Sequence, residues 1–368
     1  MCGGVLCVFA SGMSESSNTA THDGSDRRDY HNSQPAGRRG SIQPHFGRGG
    51  LERTAGRGQA GCTMADFNQV VMVLWWLVLT AYYTLESLVM LLVPKHYRAK
   101  DVRGSVALIT GGGSGIGRQI CLKLAAKGAV VVTWDVSEAG NEETVRQVQA
   151  AGGQCRAYVV DLCDRQTVYA AATRLKQEVG KVDILVNNAG VVTGKNLLHS
   201  PDTSIVKTFE VNALSHFWTT KAFLPDMLTR NKGHIVTIAS LLGKTPLNGL
   251  VDYCSSKYAA VGFDEALRVE LKALGKTGIK TTLVCPSLVN TGMFEGVAAE
   301  ANPLEPAHVA EEVVEAVELG VGLVYLPKMI RLYVILKSVL PEKAFYKLLE
   351  LRGATRAMDT FVGRRKTR

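Results

Sequence analysis

The chain has 368 residues, of which 46% are hydrophobic and 20% charged, and its formal net charge is +9. This length allows one large or two small domains, and the aperiodic N-terminal segment favours a single catalytic domain. The chain has 8 cysteines without C-x-x-C or metal-ligand spacing. That pattern argues against a disulfide framework and a metal site, and it predicts reduced thiols in a cytosol-facing protein.

The positive charge lies at the periphery of the chain. Residues 94–103 and the last residues, 362–368, are strongly basic, whereas residues 104–361 are nearly neutral. A basic balance is typical of proteins that bind nucleic acid or an anionic surface. Because the basic stretches flank apolar sequence, we predict a membrane as the partner and no nucleic acid.

Residues 1–63 are predicted to be a disordered N-terminal extension. They are rich in Gly, Ser, Arg and Asn, with few large apolar residues and no period. Such a segment cannot bury enough apolar surface to offset its ordering entropy. Met64 stands directly before the first organised sequence, which is consistent with an alternative or non-native extension upstream of it.

Residues 64–100 are predicted to form a membrane anchor with a basic flank. Segment 70–93 contains one charge, Glu86, and neither Pro nor Gly; as a helix it would be about 36 Å long, enough for a bilayer core of about 30 Å. The basic flank predicts that the remaining chain faces the cytosol. A buried core helix and a cleaved signal peptide are the less favoured alternatives. Whether the segment spans or dips into the bilayer stays open, although Glu86 argues for an oblique or shallow placement.

Short apolar runs alternate with helix-length segments from residue 101 to 330, which we interpret as the catalytic domain. Near-continuous apolar strands of this kind are typical of a parallel sheet covered on both faces. With a glycine turn after the first strand, they predict an α/β fold with a doubly wound, parallel, seven-stranded sheet that binds a dinucleotide. The predicted strands are 106–110, 129–133, 156–160, 184–187, 234–239, 280–285 and 323–326.

The glycine turn reads Thr110-Gly-Gly-Gly-Ser-Gly-Ile-Gly117 and opens a helix. Backbone without side chains lets a pyrophosphate approach the amides at a helix N-terminus. Asp135 follows the second strand, where its carboxylate can accept hydrogen bonds from ribose hydroxyls and would repel a 2′-phosphate. Because no Arg or Lys lies in 129–140, we predict NAD rather than NADP as the cofactor. A solvated loop aspartate is the alternative interpretation of Asp135.

Three residues form a candidate proton-exchange site. Tyr253 and Lys257 are four residues apart and share one helical face, and Ser240 follows the fifth predicted strand. A nearby ammonium is expected to lower the pKa of the phenol from its usual value of about 10. Ser240 would then donate a hydrogen bond to the substrate oxygen while Tyr253 exchanges the proton, and a nicotinamide takes the hydride because no side chain can. Taken singly, each residue has an ordinary structural alternative.

These motifs occur together, in an order that is specific to one family. The glycine turn, Asn187-Asn-Ala-Gly190, Ser240 and Tyr253-x-x-x-Lys257 resemble the motif set of the short-chain dehydrogenase/reductase superfamily over roughly residues 104–330. The resemblance implies that a helical asparagine holds a water that connects the lysine to solvent. The catalytic residues predicted in this way are Asn212, Ser240, Tyr253 and Lys257.

The same resemblance implies a set of cofactor contacts. Asp161, after the third strand, would meet the adenine amino group, and Lys257 would bind the nicotinamide ribose. Many family members have Pro-Gly after the sixth strand, whereas this chain has Pro286-Ser287, so the local turn geometry is in question there. The predicted cofactor-binding residues are Gly111, Ser114, Gly115, Ile116, Gly117, Asp135, Asp161, Asn188, Ala189, Gly190, Tyr253, Lys257, Pro286 and Thr291.

A narrower resemblance concerns the substrate. With the apolar anchor, several segments resemble the membrane-bound retinol dehydrogenases of the epidermal and retinol-dehydrogenase-10 type, to which the lipid-droplet hydroxysteroid dehydrogenases are close relatives. The segments are 134–135, 141–144, 217–225, 280–286 and 291–294. The resemblance implies a lipophilic alcohol as substrate and a location at the endoplasmic reticulum membrane or the lipid droplet surface. We also expect a homo-oligomer.

Three hypotheses for the function follow. The favoured one is a membrane-associated dehydrogenase that transfers a hydride from a retinol-like alcohol to NAD. The second is a hydroxysteroid dehydrogenase or another lipid carbonyl reductase of the same fold. The third is a lipid-droplet or endoplasmic-reticulum scaffold with vestigial catalysis. The complete catalytic set argues against this hypothesis, because a scaffold does not need all four residues.

The C-terminal residues, 331–368, are predicted to be a helical, membrane-proximal tail. A helix that begins at Met329 places Lys328, Arg331 and Lys337 partly on one side, as on a membrane surface. A helix that packs over the substrate cleft is an equally supported alternative. The terminal segment 364–368 is a polybasic tail, solvated or on anionic lipid.

Overall fold

The computed structural model describes residues 64–298 and 302–363. The predicted extension at 1–63 and the polybasic segment 364–368 lie outside the described residues. The chain divides into two compact units, Met1–Val73 and Leu74–Arg368, and the second unit contains the entire sheet. The finer boundaries at residues 100 and 330 stay predictions.

The centre of the second unit is a seven-stranded sheet in the order β3-β2-β1-β4-β5-β6-β7, in which every pair of neighbours is parallel. The strands are β1 (Val106–Thr110), β2 (Val130–Asp135), β3 (Gln154–Val159), β4 (Ile184–Asn187), β5 (Gly233–Ile238), β6 (Ile279–Pro286) and β7 (Leu323–Leu326). The order reverses between β1 and β4, which places a crevice at the carboxyl ends of these two strands. The predicted doubly wound α/β fold is confirmed.

The strands differ from the predicted ones mainly at their ends. The second strand was predicted to stop at residue 133, but β2 continues because Trp134 pairs with Tyr158 and Asp135 pairs with Val159. The register in which two strands pair cannot be read from a single sequence, and here that pairing extends β2 to a polar residue. The extension puts Asp135 at the last position of β2, at the edge of the crevice.

Helices cover both faces of the sheet. The helices are α1 (Met64–Leu92), α2 (Lys95–Arg98), α3 (Gly115–Ala126), α4 (Glu138–Ala150), α5 (Arg165–Glu178), α6 (Asp202–Phe209), α7 (Ser215–Arg230), α8 (Val251–Ala273), α9 (Pro306–Leu319), α10 (Ile330–Val339) and α11 (Glu342–Leu351). Ile109 of β1 packs in one core with α3 and α9, whereas Leu108 packs in a second core with α5, α7 and α8. Successive side chains of one strand therefore enter opposite cores, which is why β1 is apolar throughout.

Helix α1 contains the predicted anchor. By length and composition, Phe67–Met90 is long and apolar enough to cross a membrane, and its side chains are not buried in the protein. Its three aliphatic hydroxyl groups are satisfied within the helix, because Thr80, Thr84 and Ser87 each donate to the carbonyl four residues earlier, at 2.7–2.8 Å. Internal hydrogen bonds of this kind are what an apolar surrounding requires.

The basic flank after α1 is partly engaged by the catalytic unit. Lys95 forms an ion pair with Glu315 of α9 at 2.6 Å, and the amide of Lys100 donates to the carbonyl of Glu318 at 2.7 Å. The guanidinium of Arg98 donates to the carbonyl of Met90 at 2.6 Å. These contacts fasten residues 95–100 to α9, so only part of the flank's charge is left for a surface.

Candidate active site

A cleft of about 650 Å³ lies at the carboxyl ends of the central strands. Its walls come from the turns that follow β1, β2, β3, β4, β5 and β6, and from helix α8. All the predicted site residues line this cleft except Gly117 and Asn212, which lie directly behind it. The topology therefore assembles residues that are up to 180 positions apart in the chain at one edge of the sheet.

The glycine turn after β1 leaves no room for side chains. Gly111 has a φ of +65°, in the left-handed region that favours glycine. A Cβ at Gly117 would lie 2.2 Å from the carbonyl oxygen of Gly111. The side-chain amide of Asn188 donates to the carbonyl of Thr110 at 2.9 Å and so ties this turn to the turn after β4. The result is a fixed backbone cradle at the N-terminus of α3, which fits a pyrophosphate.

Asp135 lies at the adenosine end of this cradle. One of its carboxylate oxygens accepts from the amide of Gly113 at 3.0 Å, and the other accepts from the amide of Ser137 at 2.9 Å. A Cβ at Gly113 would come within 2.9 Å of this carboxylate. The carboxylate is thus held at the floor of the cleft, where a ribose would lie in this fold.

Arg118 is a residue of the cleft that the sequence reasoning missed. Its guanidinium donates to the carbonyls of Gly113 and Gly140, and its Nε donates to the hydroxyl of Thr144 at 2.9 Å. The segment around Asp135 has no Arg or Lys of its own, whereas this cation comes from the first turn of α3. The available signal was its place directly after Gly117. Arg118 links the glycine turn to α4 and lies in the wall of the cleft.

Asp161 and the turn after β4 complete the cofactor side. Asp161 lines the cleft, and its carboxylate accepts from the amide of Cys163 at 2.9 Å. The amides of Asn188 and Ala189 donate to the hydroxyl of Thr110 at 3.0 and 3.2 Å. These bonds order two adjacent walls of the cleft before any ligand binds.

The turn after β6 carries the departure from the family pattern. Ser287 lines the cleft, and its amide donates to the carbonyl of Leu326 in β7 at 2.8 Å. Thr291 faces the glycine turn, because a Cβ at Gly115 would meet its methyl group at 3.1 Å. The backbone of this turn is therefore tied to the sheet with serine in the place of glycine, and Pro286 and Thr291 lie in the wall of the cleft.

The three candidate catalytic side chains meet at the other end of the cleft. Tyr253 and Lys257 lie on the buried face of α8, and the Lys257 ammonium is 5.8 Å from the centre of the Tyr253 ring. The ammonium donates to the carbonyl of Ile238, the last residue of β5, at 2.9 Å. Ser240 follows β5 directly, and its hydroxyl accepts from the amide of Leu242 at 3.1 Å. The structure thus brings together Ser240, Tyr253 and Lys257 as predicted.

The electrostatics of the pair differ from the expectation that Lys257 lowers the pKa of Tyr253. Burial raises the pKa of Tyr253 well above its ordinary value, and a hydrogen bond with Ser240 opposes this rise. Burial also lowers the pKa of Lys257, to about 8. The expected lowering of the Tyr253 pKa is therefore not found in this structure, because burial is the largest cause and raises it, and the Lys257 ammonium is directed at the carbonyl of Ile238.

Asn212 lies in a single π-helical turn, Glu210–Leu214, between α6 and α7. Its side chain forms two hydrogen bonds with the backbone of Val191, accepting from the amide at 2.8 Å and donating to the carbonyl at 2.9 Å. It also donates to the hydroxyl of Ser256 at 3.0 Å. Isolated π-helical turns are frequent at functional sites. Here the turn lets Asn212 connect the loop after β4 to helix α8.

The substrate side of the cleft is apolar and includes residues that the sequence reasoning did not select. The ring of Phe294 meets Tyr253 edge to face, with centroids 5.4 Å apart and planes at 85°. Met293 and Val191 line the cleft beside them. A cluster of further apolar side chains surrounds Tyr253: Val192, Leu242, Leu247, Leu250, Val297, Met358 and Phe361. No periodicity marks these residues, since they come from loops and from the C-terminus.

Among the described residues, no group of three or more His, Cys, Asp or Glu side chains could hold a metal ion. The described cysteines at 121, 155, 163, 254 and 285 are free.

A dinucleotide cleft that ends on a buried tyrosine and lysine defines a nicotinamide-dependent oxidoreductase. Comparison with known proteins narrows this class, because residues 105–302 match the family model described as short chain dehydrogenase. The chain belongs to the short-chain dehydrogenase/reductase family, as the motif set indicated.

Two similar proteins are human epidermal retinol dehydrogenase 2 and mouse estradiol 17-beta-dehydrogenase 11. The first is 44% identical over 77% of this chain and 92% of the human protein. The second is 45% identical over 78% of this chain and 95% of the mouse protein. The predicted resemblance to retinol dehydrogenases, with hydroxysteroid dehydrogenases as relatives, is thereby confirmed.

Two solved structures share the fold. A short-chain dehydrogenase/reductase from Burkholderia phymatum in complex with NAD is 29% identical, with a TM-score of 0.60, and covers 69% of this chain and 98% of its own. A metagenomic short-chain oxidoreductase in complex with NADP is 30% identical, with a TM-score of 0.52, and covers 60% of this chain and 93% of its own. A nicotinamide cofactor is confirmed, whereas the choice of NAD over NADP stays a prediction.

Proposed function

We propose that this protein oxidises a lipophilic, retinol-like alcohol with NAD at a membrane surface. The observation that carries the proposal is the position of Tyr253 between two unlike surroundings. Its phenol has a hydrogen bond with Ser240 in the cleft that also contains the cofactor cradle, whereas its ring packs on Phe294 and an apolar cluster. An alcohol with a long apolar body fits such a site, because its hydroxyl meets the polar groups and its body meets the apolar wall.

Each side chain of this site has a separate role in the transfer of the hydroxyl proton. Ser240 hydrogen-bonds the substrate oxygen and holds it beside the phenol of Tyr253. Tyr253 takes the hydroxyl proton, and Lys257 supplies a positive charge beneath the ring that favours the phenolate. Asn212 keeps the loop after β4 against α8, so Val191 in the cleft wall holds its position relative to the helix that carries Tyr253 and Lys257.

The cofactor cradle fits a nicotinamide dinucleotide, since any side chain at Gly117 would collide with the turn. Gly111, Ser114 and Ile116 would hold its pyrophosphate, Asp135 and Asp161 its adenosine, and Lys257 its nicotinamide ribose. A bound nicotinamide would accept the hydride from the alcohol carbon, and its positive charge in the oxidised form would favour the phenolate of Tyr253.

The proposal of NAD rather than NADP rests on the charges near the ribose. Asp135 lies at the end of β2 with both oxygens directed by backbone amides. Arg118 is close to the same turn, but its guanidinium donates to the Gly113 and Gly140 carbonyls. The negative charge is therefore presented to the cleft while the positive charge is engaged in holding the turn together, which disfavours a 2′-phosphate.

A second candidate is the reduction of a lipophilic ketone or aldehyde, as in a hydroxysteroid dehydrogenase that runs as a reductase. The raised pKa of Tyr253 favours it, because a neutral phenol is the form that donates a proton to a carbonyl oxygen. The similarity to mouse estradiol 17-beta-dehydrogenase 11 supports a steroid as the substrate of this candidate. The third hypothesis, a scaffold with vestigial catalysis, predicts no turnover with any of these substrates.

The proposed location is the cytosolic face of the endoplasmic reticulum membrane or the lipid droplet surface. Helix α1 would supply the anchor. Helix α10 supports a second contact, since Met329, Leu332, Ile335 and Val339 are all exposed. These positions fall on one side of the helix, with Lys328 and Arg331 next to them in sequence, which is typical of a helix at an anionic lipid surface.

We further propose that the protein is a homo-oligomer and does not bind nucleic acid. Phe217 of α7 and Val269 of α8 are exposed apolar side chains of helices that otherwise form the core. Covering such side chains by a second copy would remove apolar surface from water.

The first prediction concerns the mechanism. Tyr253→Phe removes only the phenolic oxygen, so NADH binding should persist while kcat with retinol falls by at least about 100-fold, the low end for acid–base catalysis. Tyr258→Phe on the same helix is the matched control and should stay within about 2-fold of the native rate. Steady-state kinetics together with NADH fluorescence titration measure both effects. Substantial activity in Tyr253→Phe would remove the phenol from the mechanism.

The second prediction concerns cofactor choice. The native protein should prefer NAD over NADP by at least about 10-fold in kcat/KM, equivalent to about 1.4 kcal/mol. Asp135→Ser should reduce this preference by improving NADP, whereas Glu138→Gln, which neutralises a nearby exposed acid, should leave it unchanged. A loss of efficiency that is equal for both cofactors would mean that Asp135 only supports the turn, and equal use of both by the native protein would contradict the proposal.

The third prediction concerns the membrane. The full chain should stay with the membrane fraction in high salt and be released by detergent, because apolar burial does not depend on ionic strength. Deletion of Phe67–Met90 should release it or cause aggregation, whereas deletion of residues 2–63 should leave it bound. Fractionation of cell membranes followed by immunoblotting gives the distribution. Release of the full chain by salt alone would contradict an apolar anchor.

A further inference from the structure

The described C-terminal segment does not lead away from the catalytic unit. After α11, residues 354–363 return to the loops around Tyr253, where Met358 and Phe361 join its apolar cluster, and we name these residues the C-terminal strap. The strap hydrogen-bonds to the loop 294–298 after β6 and to Asn248 before α8. The bonds are Val362 N to Glu295 O (2.9 Å), Gly363 N to Glu295 O (3.1 Å), Ala298 N to Ala357 O (3.0 Å), Thr360 Oγ1 to Gly296 O (2.6 Å) and Asn248 Nδ2 to Thr355 O (2.8 Å).

The approach of the strap to this loop is close. A Cβ at Gly296, whose φ is +85°, would lie 2.2 Å from the carbonyl oxygen of Thr360. A Cβ at Gly194, in the loop after β4, would lie 1.9 Å from the ring of Phe361. The strap therefore rests directly on backbone in two of the loops that form the cleft, and no side chain could be inserted between them.

The strap also continues the aromatic contact that begins at the phenol. Phe361 lies 6.5 Å from Phe294, centroid to centroid, and Phe294 lies 5.4 Å from Tyr253. Met358 of the strap is buried in the same cluster. Because the loop that carries Phe294 is held by the strap's hydrogen bonds, the position of the ring over Tyr253 depends on residues more than 60 positions away.

We propose that the C-terminal strap closes the apolar end of the substrate cleft and determines which lipophilic alcohols are accepted. Phe361 is a positioning residue, because it acts through Phe294, which lines the cleft. An alcohol with a long apolar body lies against Phe294, whereas a short alcohol reaches Ser240 and Tyr253 without touching it. This inference rests on the proposed function, since it assumes a lipophilic substrate.

Enzyme kinetics with two alcohols test the strap. Retinol and prenol share an allylic hydroxyl group, but only retinol carries a long apolar body. Phe361→Ala in the full chain should raise KM for retinol by about 10-fold, from the loss of apolar contact, and change kcat for prenol by less than about 2-fold. Phe361→Leu should restore most of the retinol KM. Leu351→Ala, an exposed apolar residue of α11, is the control and should match the native protein.

Two results would overturn the proposal. One is a KM for retinol that is the same in Phe361→Ala as in the native protein. The other is a fall in kcat/KM that is equal for retinol and prenol and comes with weaker NADH binding, because that result would mean a general effect on folding.

Hydrogen exchange separates this proposal from the proposed function. If the native protein turns over neither lipophilic alcohols nor ketones, the proposed function fails. The role of the strap is then tested by the hydrogen-exchange rate of the Ala298 amide, which donates to the carbonyl of Ala357. Phe361→Ala should speed exchange in 294–298 by at least about 10-fold and leave the β1 amides unchanged. Unchanged exchange in that loop would overturn the strap's role by itself.

Discussion

The buried ammonium of Lys257 is the constraint on which the rest of the site depends. An ion removed from water is strongly destabilised unless polar groups surround it, and here the carbonyl of Ile238 accepts a hydrogen bond from the ammonium at 2.9 Å. That bond fixes α8 to the end of β5, which sets Tyr253 next to Ser240. The backbone of Gly190 fits against the same ammonium, since a Cβ there would lie 3.6 Å from it. The position of the Lys257 ammonium thus determines where α8 lies, and with it the position of the Tyr253 phenol.

The sheet and the cofactor cradle could be predicted because their signals are local. Short apolar runs identify the strands, and the glycines between Thr110 and Gly117 form a recognisable pattern within eight residues, although most of the contacts that require glycine there come from other segments, such as Ala189 and Asp135. The spacing of Tyr253 and Lys257 gives their common helical face directly. Even so, the pKa of Tyr253 was expected to fall, whereas burial raises it. The spacing of two residues on a helix does not tell how deeply their side chains are buried.

What the sequence did not reveal comes from contacts between distant segments. Arg118 reaches the turn around Asp135 from another helix, and Phe361 reaches Tyr253 through Phe294 after the chain has passed α10 and α11. Segment 331–368 was open to two alternatives, a helix at a membrane surface and a helix over the substrate cleft. Helix α10 exposes an apolar side, which suits the first alternative, while residues 354–363, which are not helical, supply Met358 and Phe361 to the apolar cluster around Tyr253. The proposed contacts with a lipophilic substrate and with a membrane therefore involve the same part of the chain.

The central claim, hydride transfer from a lipophilic alcohol to NAD, is tested most directly with an isotope. Retinol in which deuterium replaces both hydrogens of the carbinol carbon is incubated with NAD and the full-length protein in detergent or vesicles, and the NADH is analysed by mass spectrometry. The account predicts NADH that contains one deuterium, in step with the formation of retinal, since the nicotinamide takes the hydride directly. NADH without deuterium, or no NADH from retinol and from a panel of steroid alcohols, would contradict it.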